Sequence, residues 1–138
     1  WAISIALQRR LPDGTIELAA ALVYNPAANE IFWAEKGVGA FLNERRIRVS
    51  ARRDMHEALF ATGIPFAKVP AQRRLPFART LGALMPQVAG IRRFGAAAPA
   101  LAWVAAGRFD AWWESDLKPL DVAARLLPVK ETGGFVTH

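Results

Sequence analysis

Residues 91–121 read IRRFGAAAPALAWVAAGRFDAWWESDLKPLD, and this stretch decides the fold class. Ile91–Phe94 is a short apolar strand, and Gly95-Ala96-Ala97 is a turn of small residues. Pro99–Ala106 is a helix with proline in its first turn, where a missing N–H costs nothing. Gly107 stops that helix, and Phe109–Trp113 is the next strand. After a loop, Asp121 opens a second helix. A strand–helix–strand unit on an apolar scaffold predicts a mixed α/β layer, with helices covering a sheet. Three points on the scaffold carry chemistry. A small-residue turn at a helix N-terminus presents backbone N–H groups and the positive end of the helix dipole to an anion. Glu114 ends the Trp112-Trp113 strand. Asp121, a carboxylate at a helix start, suits a hard cation such as Mg²⁺. A lone aspartate there is otherwise a helix cap, and a lone glutamate is otherwise a surface acid.

Upstream, Trp1–Gln8 alternates, with Ile3, Ile5 and Leu7 on one face. Leu11-Pro12-Asp13-Gly14 is a hairpin turn. Ile16–Tyr24 returns, Asn25–Asn29 turns again, and Glu30–Glu35 is a third strand. Gly37 and Gly39 mark a bend. Phe41-Leu42 and Ile47–Val49 flank a small hairpin, Asn43–Arg46. The first fifty residues are therefore an antiparallel meander. Asp54 is placed to cap a helical turn within Arg53–Ala58, and Leu59–Gly63 is a short strand. Arg73–Met85 is read as a helix whose inner face is Leu75, Ala78, Leu81 and Leu84, with Pro76 in its first turn. Asp121–Lys130 is the last helix, stopped by Gly133-Gly134, and Phe135–Thr137 begins a further strand.

The 138 residues are the size of one domain, with 53% hydrophobic and 22% charged residues, a globular balance. The chain opens within a strand, so a partial domain of a longer protein is expected. No apolar run reaches the ~18 residues of a membrane helix. There are no cysteines, which excludes disulfides, zinc–thiolate sites and cysteine nucleophiles and suits a cytoplasmic protein. The net charge of +6 comes mostly from arginine doublets. They are scattered and lack interleaved aromatics, so they read as solvated surface and nucleic acid is not an expected partner. With His56 in a charged turn and His138 at the chain end, no Ser/His/Asp triad is arguable.

Four stretches together resemble the C-terminal half of the inositol monophosphatase family, Mg²⁺-dependent phosphatases of sugar and inositol phosphates. Ala34-Glu35-Lys36-Gly37-Val38-Gly39-Ala40-Phe41-Leu42-Asn43 looks like the A-E-x-G-x-G-A-F-x-N hairpin. Arg92-Arg93-Phe94-Gly95-Ala96-Ala97-Ala98 is similar to R-x-x-G-[ST]-A-A. Residues 104–114 look like V-A-x-G-x-x-D-x-[YFW]-x-E. Lys118–Ala124 is similar to the W-D-x-A-A-G signature, followed by Glu131–Gly134 for E-A-G-G.

The resemblance implies a phosphomonoesterase of inositol or related polyol phosphates, with a sugar-phosphatase-like layered sandwich and a homodimer. It implies that Asp121 ligates Mg²⁺ and meets the substrate, that Gly95, Ala96 and Ala97 approach the substrate, and that Glu114 accepts a hydrogen bond from a ring hydroxyl. The family's G-E-x-S and D-P-[LI]-D-G-T segments, which carry most metal ligands, do not occur here. Asp13-Gly14-Thr15 copies only the tail of the second, inside a hairpin turn. The nucleophile-activating residues therefore lie outside this chain, and the chain alone is expected to have little activity. Departures cluster at the implied site: Leu120 for tryptophan, Arg125 for glycine, Ala96 for serine or threonine, Thr132 for alanine, and Pro128 within the last helix. They leave open a degenerate, non-catalytic relative or a basic RNA-binding or assembly module.

Overall fold

The computed structural model describes residues 1–65, 69–115 and 126–137. Strands β1 (Ile3–Arg10), β2 (Ile16–Asn25), β3 (Glu30–Glu35), β4 (Gly39–Leu42) and β5 (Arg45–Arg46) pair in chain order as an antiparallel sheet. Short connections make this meander the cheapest closure the chain has. The first is the predicted Asp13-Gly14 turn, where Thr15 donates its N–H and its hydroxyl to the Asp13 carboxylate. Those bonds are internal to the turn, which agrees with reading Asp13-Gly14-Thr15 as a hairpin device.

Register sorts the side chains. Val23, Phe32 and Leu42 stand side by side, as do Ala21, Ala34 and Ala40, on one face. Val23 and Phe32 are fully buried there. The opposite face carries Ile5, Leu22, Trp33 and Phe41 in a row, with Trp33 stacked on Phe41 at a centroid distance of 4.3 Å. The apolar face read for the first strand is present, but it points outward. Ile3, Ile5 and Leu7 are 43%, 57% and 61% exposed.

The second half switches to parallel pairing. Asp54 accepts from the His56 N–H at 2.9 Å and caps a single 3₁₀ turn, Met55–Glu57. Strand β6 (Leu59–Thr62) leads through helix α1 (Ala71–Leu84) to β7 (Gly90–Arg93), then through helix α2 (Ala97–Ala105) to β8 (Ala111–Trp113). The order is β7-β6-β8, with β6 parallel to both neighbours.

Helix α2 holds the two sheets together. It is apolar on every side, which suits a helix buried all round, and alanines let neighbouring backbones come close. Ala98 and Ala102, one turn apart, meet Val23 and Phe32 of the large sheet. Ala100 and Val104 meet Ala61 and Phe109 at the small sheet. Leu101 and Ala105 meet Val129 of a helical segment at 126–131. Gly107 ends α2 at φ 71°, and a Cβ there would lie 3.1 Å from the Arg48 carbonyl oxygen, so both conformation and space require glycine. Just before β8, Asp110 accepts from the Leu59 N–H at 2.7 Å and from Arg52 at 3.1 Å. It ties β8, β6 and the preceding loop together.

Several expectations are corrected. Helix α1 starts at Ala71, so Pro76 is in its interior and leaves the Gln72 carbonyl without a helical donor. Its inner face is Phe77, Leu81 and Leu84, while Leu75 is 55% exposed. Phe77 sets that face by stacking on Trp113 at 6.0 Å. The small hairpin turns at Asn43-Glu44, not over four residues, because Asn43 takes a left-handed φ of 52°. Ile47, just past β5, still donates its N–H to the Ala40 carbonyl at 2.9 Å and packs its side chain between the sheet and α2. Residues 135–137 are not strand, and Phe135 is 97% exposed. The predicted start of the last helix at Asp121, and the departures at Leu120 and Arg125, lie outside the described residues.

Candidate functional site

Because β6 runs parallel to β7 and β8, the carboxyl ends of the three strands share one edge of the small sheet. Chain order supplies a switch point there. The connection through α1 leaves β6 for one neighbour, and the connection through α2 returns past β6 to the other. Open parallel sheets bind ligands in the crevice at such a point, because the helix N-termini on either side face into it. Thr62 is level with Arg93 on one side and Trp113 on the other. The residues immediately beyond are Gly63, Phe94-Gly95 and Glu114.

The predicted turn is formed at Gly95-Ala96, while Ala97, read as its third residue, is the first residue of α2, two residues before the predicted start at Pro99. Gly95 has φ 74°, which an L side chain rarely adopts, and lets the chain reverse between β7 and α2. Gly95 and Ala96 are exposed and Ala97 is half-buried. Ala96 is the N-cap of α2, and no side-chain hydrogen bond caps the helix. A serine or threonine there would satisfy one first-turn N–H. With alanine the cap residue itself offers no acceptor to the first-turn N–H groups, and the dipole favours negative charge beside them. The Arg93 guanidinium lies against the same turn, 3.4 Å from where a Gly95 Cβ would stand.

Glu114 leaves the end of β8 half-buried and folds its carboxylate over Gly63. Two strand spacings separate β7 from β8, so the Gly95 turn and Glu114 are about 10 Å apart across the edge. Of the sequence-predicted residues, Gly95, Ala96, Ala97 and Glu114 therefore converge, and Asp121 lies outside the described residues. Thr62 and Gly63 share the edge but drew no attention in the sequence, where they read only as the end of a strand.

A divalent cation at this edge would need more oxygen ligands than the described residues bring to it. Mg²⁺ takes oxygen ligands in near-octahedral geometry and needs several carboxylates or a substrate phosphate. Among the described residues no three His, Asp or Glu side chains gather, and this edge contributes the single carboxylate of Glu114. Two of the other described acids, Asp110 and Glu30, are engaged elsewhere. Burial by itself would raise the Asp110 carboxyl, but the Leu59 N–H, Ser50 and Arg52 outweigh it and hold it below its ordinary range. The Arg108 guanidinium holds Glu30 below its range in the same way. The described residues do not form a Mg²⁺ site by themselves. An adjacent open cleft of about 390 Å³, lined by Phe77, Leu81 and Ile91, adds no carboxylate.

Comparison with known proteins covers the whole chain. The chain matches the model of the inositol monophosphatase family over residues 1–138. It is 51% identical over 138 residues to the inositol-1-monophosphatase of Caulobacter vibrioides, covering 99% of this chain and 52% of that protein. It is 44% identical to the Nus factor SuhB of Pseudomonas aeruginosa, covering 99% and 49%. The structure is similar to the crystal structure of the extragenic suppressor protein suhB from Bartonella henselae, with a TM-score of 0.86 and 45% identity over 99% of this chain and 49% of that one. The chain thus spans about half the length of the curated relatives it matches.

Proposed function

The chain belongs to the inositol monophosphatase family, and from that premise we propose that it carries the substrate-binding part of a Mg²⁺-dependent phosphomonoesterase acting on inositol or a related polyol or sugar phosphate. One observation carries the reading. The Gly95-Ala96-Ala97 turn, at a helix N-terminus with no side-chain cap, and the Glu114 carboxylate stand on the same carboxyl edge of the small sheet, two strand spacings apart. The relative named inositol-1-monophosphatase in Caulobacter vibrioides supports it.

Each residue then has a task its chemistry suits. The first-turn N–H groups of α2 and the positive end of its dipole hold phosphate oxygens. The Glu114 carboxylate, an acceptor with no proton to give, takes a hydrogen bond from a ring hydroxyl and orients the ring. Asp121 is the ligand this chain would offer Mg²⁺, and the remaining ligands would come from outside it. Cytoplasmic location and assembly as a homodimer belong to the same proposal. No helix among the described residues is long and apolar enough to cross a membrane.

The test is phosphate release from inositol 1-phosphate by the full-length protein with and without Mg²⁺. Release that requires Mg²⁺, disappears in Asp121→Asn and shows a raised KM in Glu114→Gln is the expected result. Absence of release from any polyol phosphate would overturn it. A second reading, a non-catalytic polyanion-binding module, draws on the exposed Arg45, Arg53, Arg74 and Arg92. A salt-sensitive mobility shift with RNA, together with no phosphate release, would favour that reading.

A further inference from the structure

The residue that decides where Glu114 can act is on another strand. A methyl group at position 63 would overlap all three atoms of the Glu114 carboxyl group. The Gly63 backbone does not have the positive φ that excludes other residues, so conformation does not call for glycine here. Space does, and what occupies the space is one carboxylate. Two bonds fix the backbone from which it departs. The Trp113 carbonyl accepts from the Gly63 N–H at 3.4 Å. It also lies 2.9 Å from the Thr62 hydroxyl, whose proton the Gly63 carbonyl at 3.1 Å competes for. The end of β8 is thereby stapled to the end of β6, one residue before Glu114 leaves it.

We propose that Gly63 is a positioning residue for substrate recognition: its missing side chain is the berth of the Glu114 carboxylate, set between Glu114 and the Gly95 turn. The inference rests on the reading of Glu114 as the acceptor of a substrate hydroxyl. It extends that reading by assigning the geometry to the β6 terminus. A side chain at 63 would turn the carboxylate away by rotating the flexible end of Glu114, whose three carboxyl atoms are the nearest to the added methyl. Recognition of the hydroxyl is lost while the fold is kept. A packing glycine would behave in the opposite way.

The experiment is a cycle of Gly63→Ala and Glu114→Gln in the full-length protein, read by melting midpoint and by kcat and KM for inositol 1-phosphate. Gly63→Ala is expected to move the midpoint by no more than ~2 °C and to raise KM about tenfold with a smaller change in kcat, the signature of lost uniform binding. Glu114→Gln is expected to raise KM by about the same factor. Added to Gly63→Ala, it should contribute less than about twofold, because the carboxylate has already moved. A wild-type KM in Gly63→Ala beside a raised KM in Glu114→Gln would overturn the berth and leave the role of Glu114 standing. An unchanged KM in Glu114→Gln would remove that role and this inference with it. If Gly63→Ala does not fold, Gly63→Ala with Glu114→Ala decides. Recovery of folding supports shared space, and continued misfolding overturns it.

Discussion

In the proposed role Glu114 would bind the substrate hydroxyl through a charge-assisted hydrogen bond, and such bonds contribute about 1.5–3 kcal/mol, more than neutral ones. Replacing the carboxylate by the isosteric amide in Glu114→Gln should therefore raise KM for inositol 1-phosphate roughly tenfold, or about 1.4 kcal/mol, measured by initial rates of phosphate release. Gly95 answers to backbone strain instead. At φ 74°, Gly95→Ala should cost about 1–2 kcal/mol of unfolding free energy, read from urea denaturation, and should raise KM by tilting the turn. An unchanged denaturation midpoint would mean the turn relaxes without strain. Asp110 gives a pH signature. Its folded carboxyl is held below the ordinary range by Leu59, Ser50 and Arg52 against the opposing effect of burial. A lowered folded value adds stability that is present above about pH 4 and is lost as pH falls through the folded value. Acid titration of the melting midpoint should show this loss in the wild type, and Asp110→Asn should flatten it. The Gly95 turn and Glu114 were legible in the sequence because each sits in a short pattern whose neighbours fix its place. Thr62 and Gly63 were not, because their importance comes from parallel register with Trp113, fifty residues away, and local pattern carries no register across such a distance.

Among the elements, β3 has the bounds read for it, Glu30–Glu35, while α2, read as Pro99–Ala106, runs Ala97–Ala105. A run without polar residues from Ala97 to Ala105 leaves no side to face water, so the helix must lie between layers. Because Ala102 is 1% exposed against Val23 and Phe32, Ala102→Leu should overpack that contact and cost about 1–3 kcal/mol, visible as a lower urea midpoint. Helix α1 shows the limit of periodicity. Both Leu75–Leu84 and Phe77–Leu84 satisfy helical spacing, and only the stacking of Phe77 on Trp113 chooses between them. Its interior Pro76 breaks one hydrogen bond on an exposed turn. Pro76→Ala should stabilise the protein, by at most about 3 kcal/mol, in the same assay. A drop in stability would show that the proline shapes the helix to fit Trp113. The strands of the meander were readable from alternation and turn residues. The two-residue β5 was not, since it depends on the left-handed Asn43, which composition does not announce.

At the scale of the molecule, one buried helix joins an antiparallel sheet to a parallel one, and the parallel sheet supplies the edge where the candidate residues meet. The fold class followed from the change of pattern near residue 53, from alternation to strand–helix–strand units. The cation side of the site rests on Asp121, which lies outside the described residues, and among the described residues no three His, Asp or Glu side chains gather. The 138 residues span about half the length of the relatives they match. The isolated chain should accordingly release little phosphate from inositol 1-phosphate under Mg²⁺ conditions where a full-length relative turns over. A comparable rate would show that these residues suffice. The most direct measurement is a crystal structure of the full-length protein grown with inositol 1-phosphate. The account predicts the phosphate at the first turn of α2 beside Gly95, with a ring hydroxyl within hydrogen-bond distance of the Glu114 carboxylate above Gly63. Ligand density on the outer face of the antiparallel sheet, or anywhere away from the carboxyl ends of β6, β7 and β8, would contradict it.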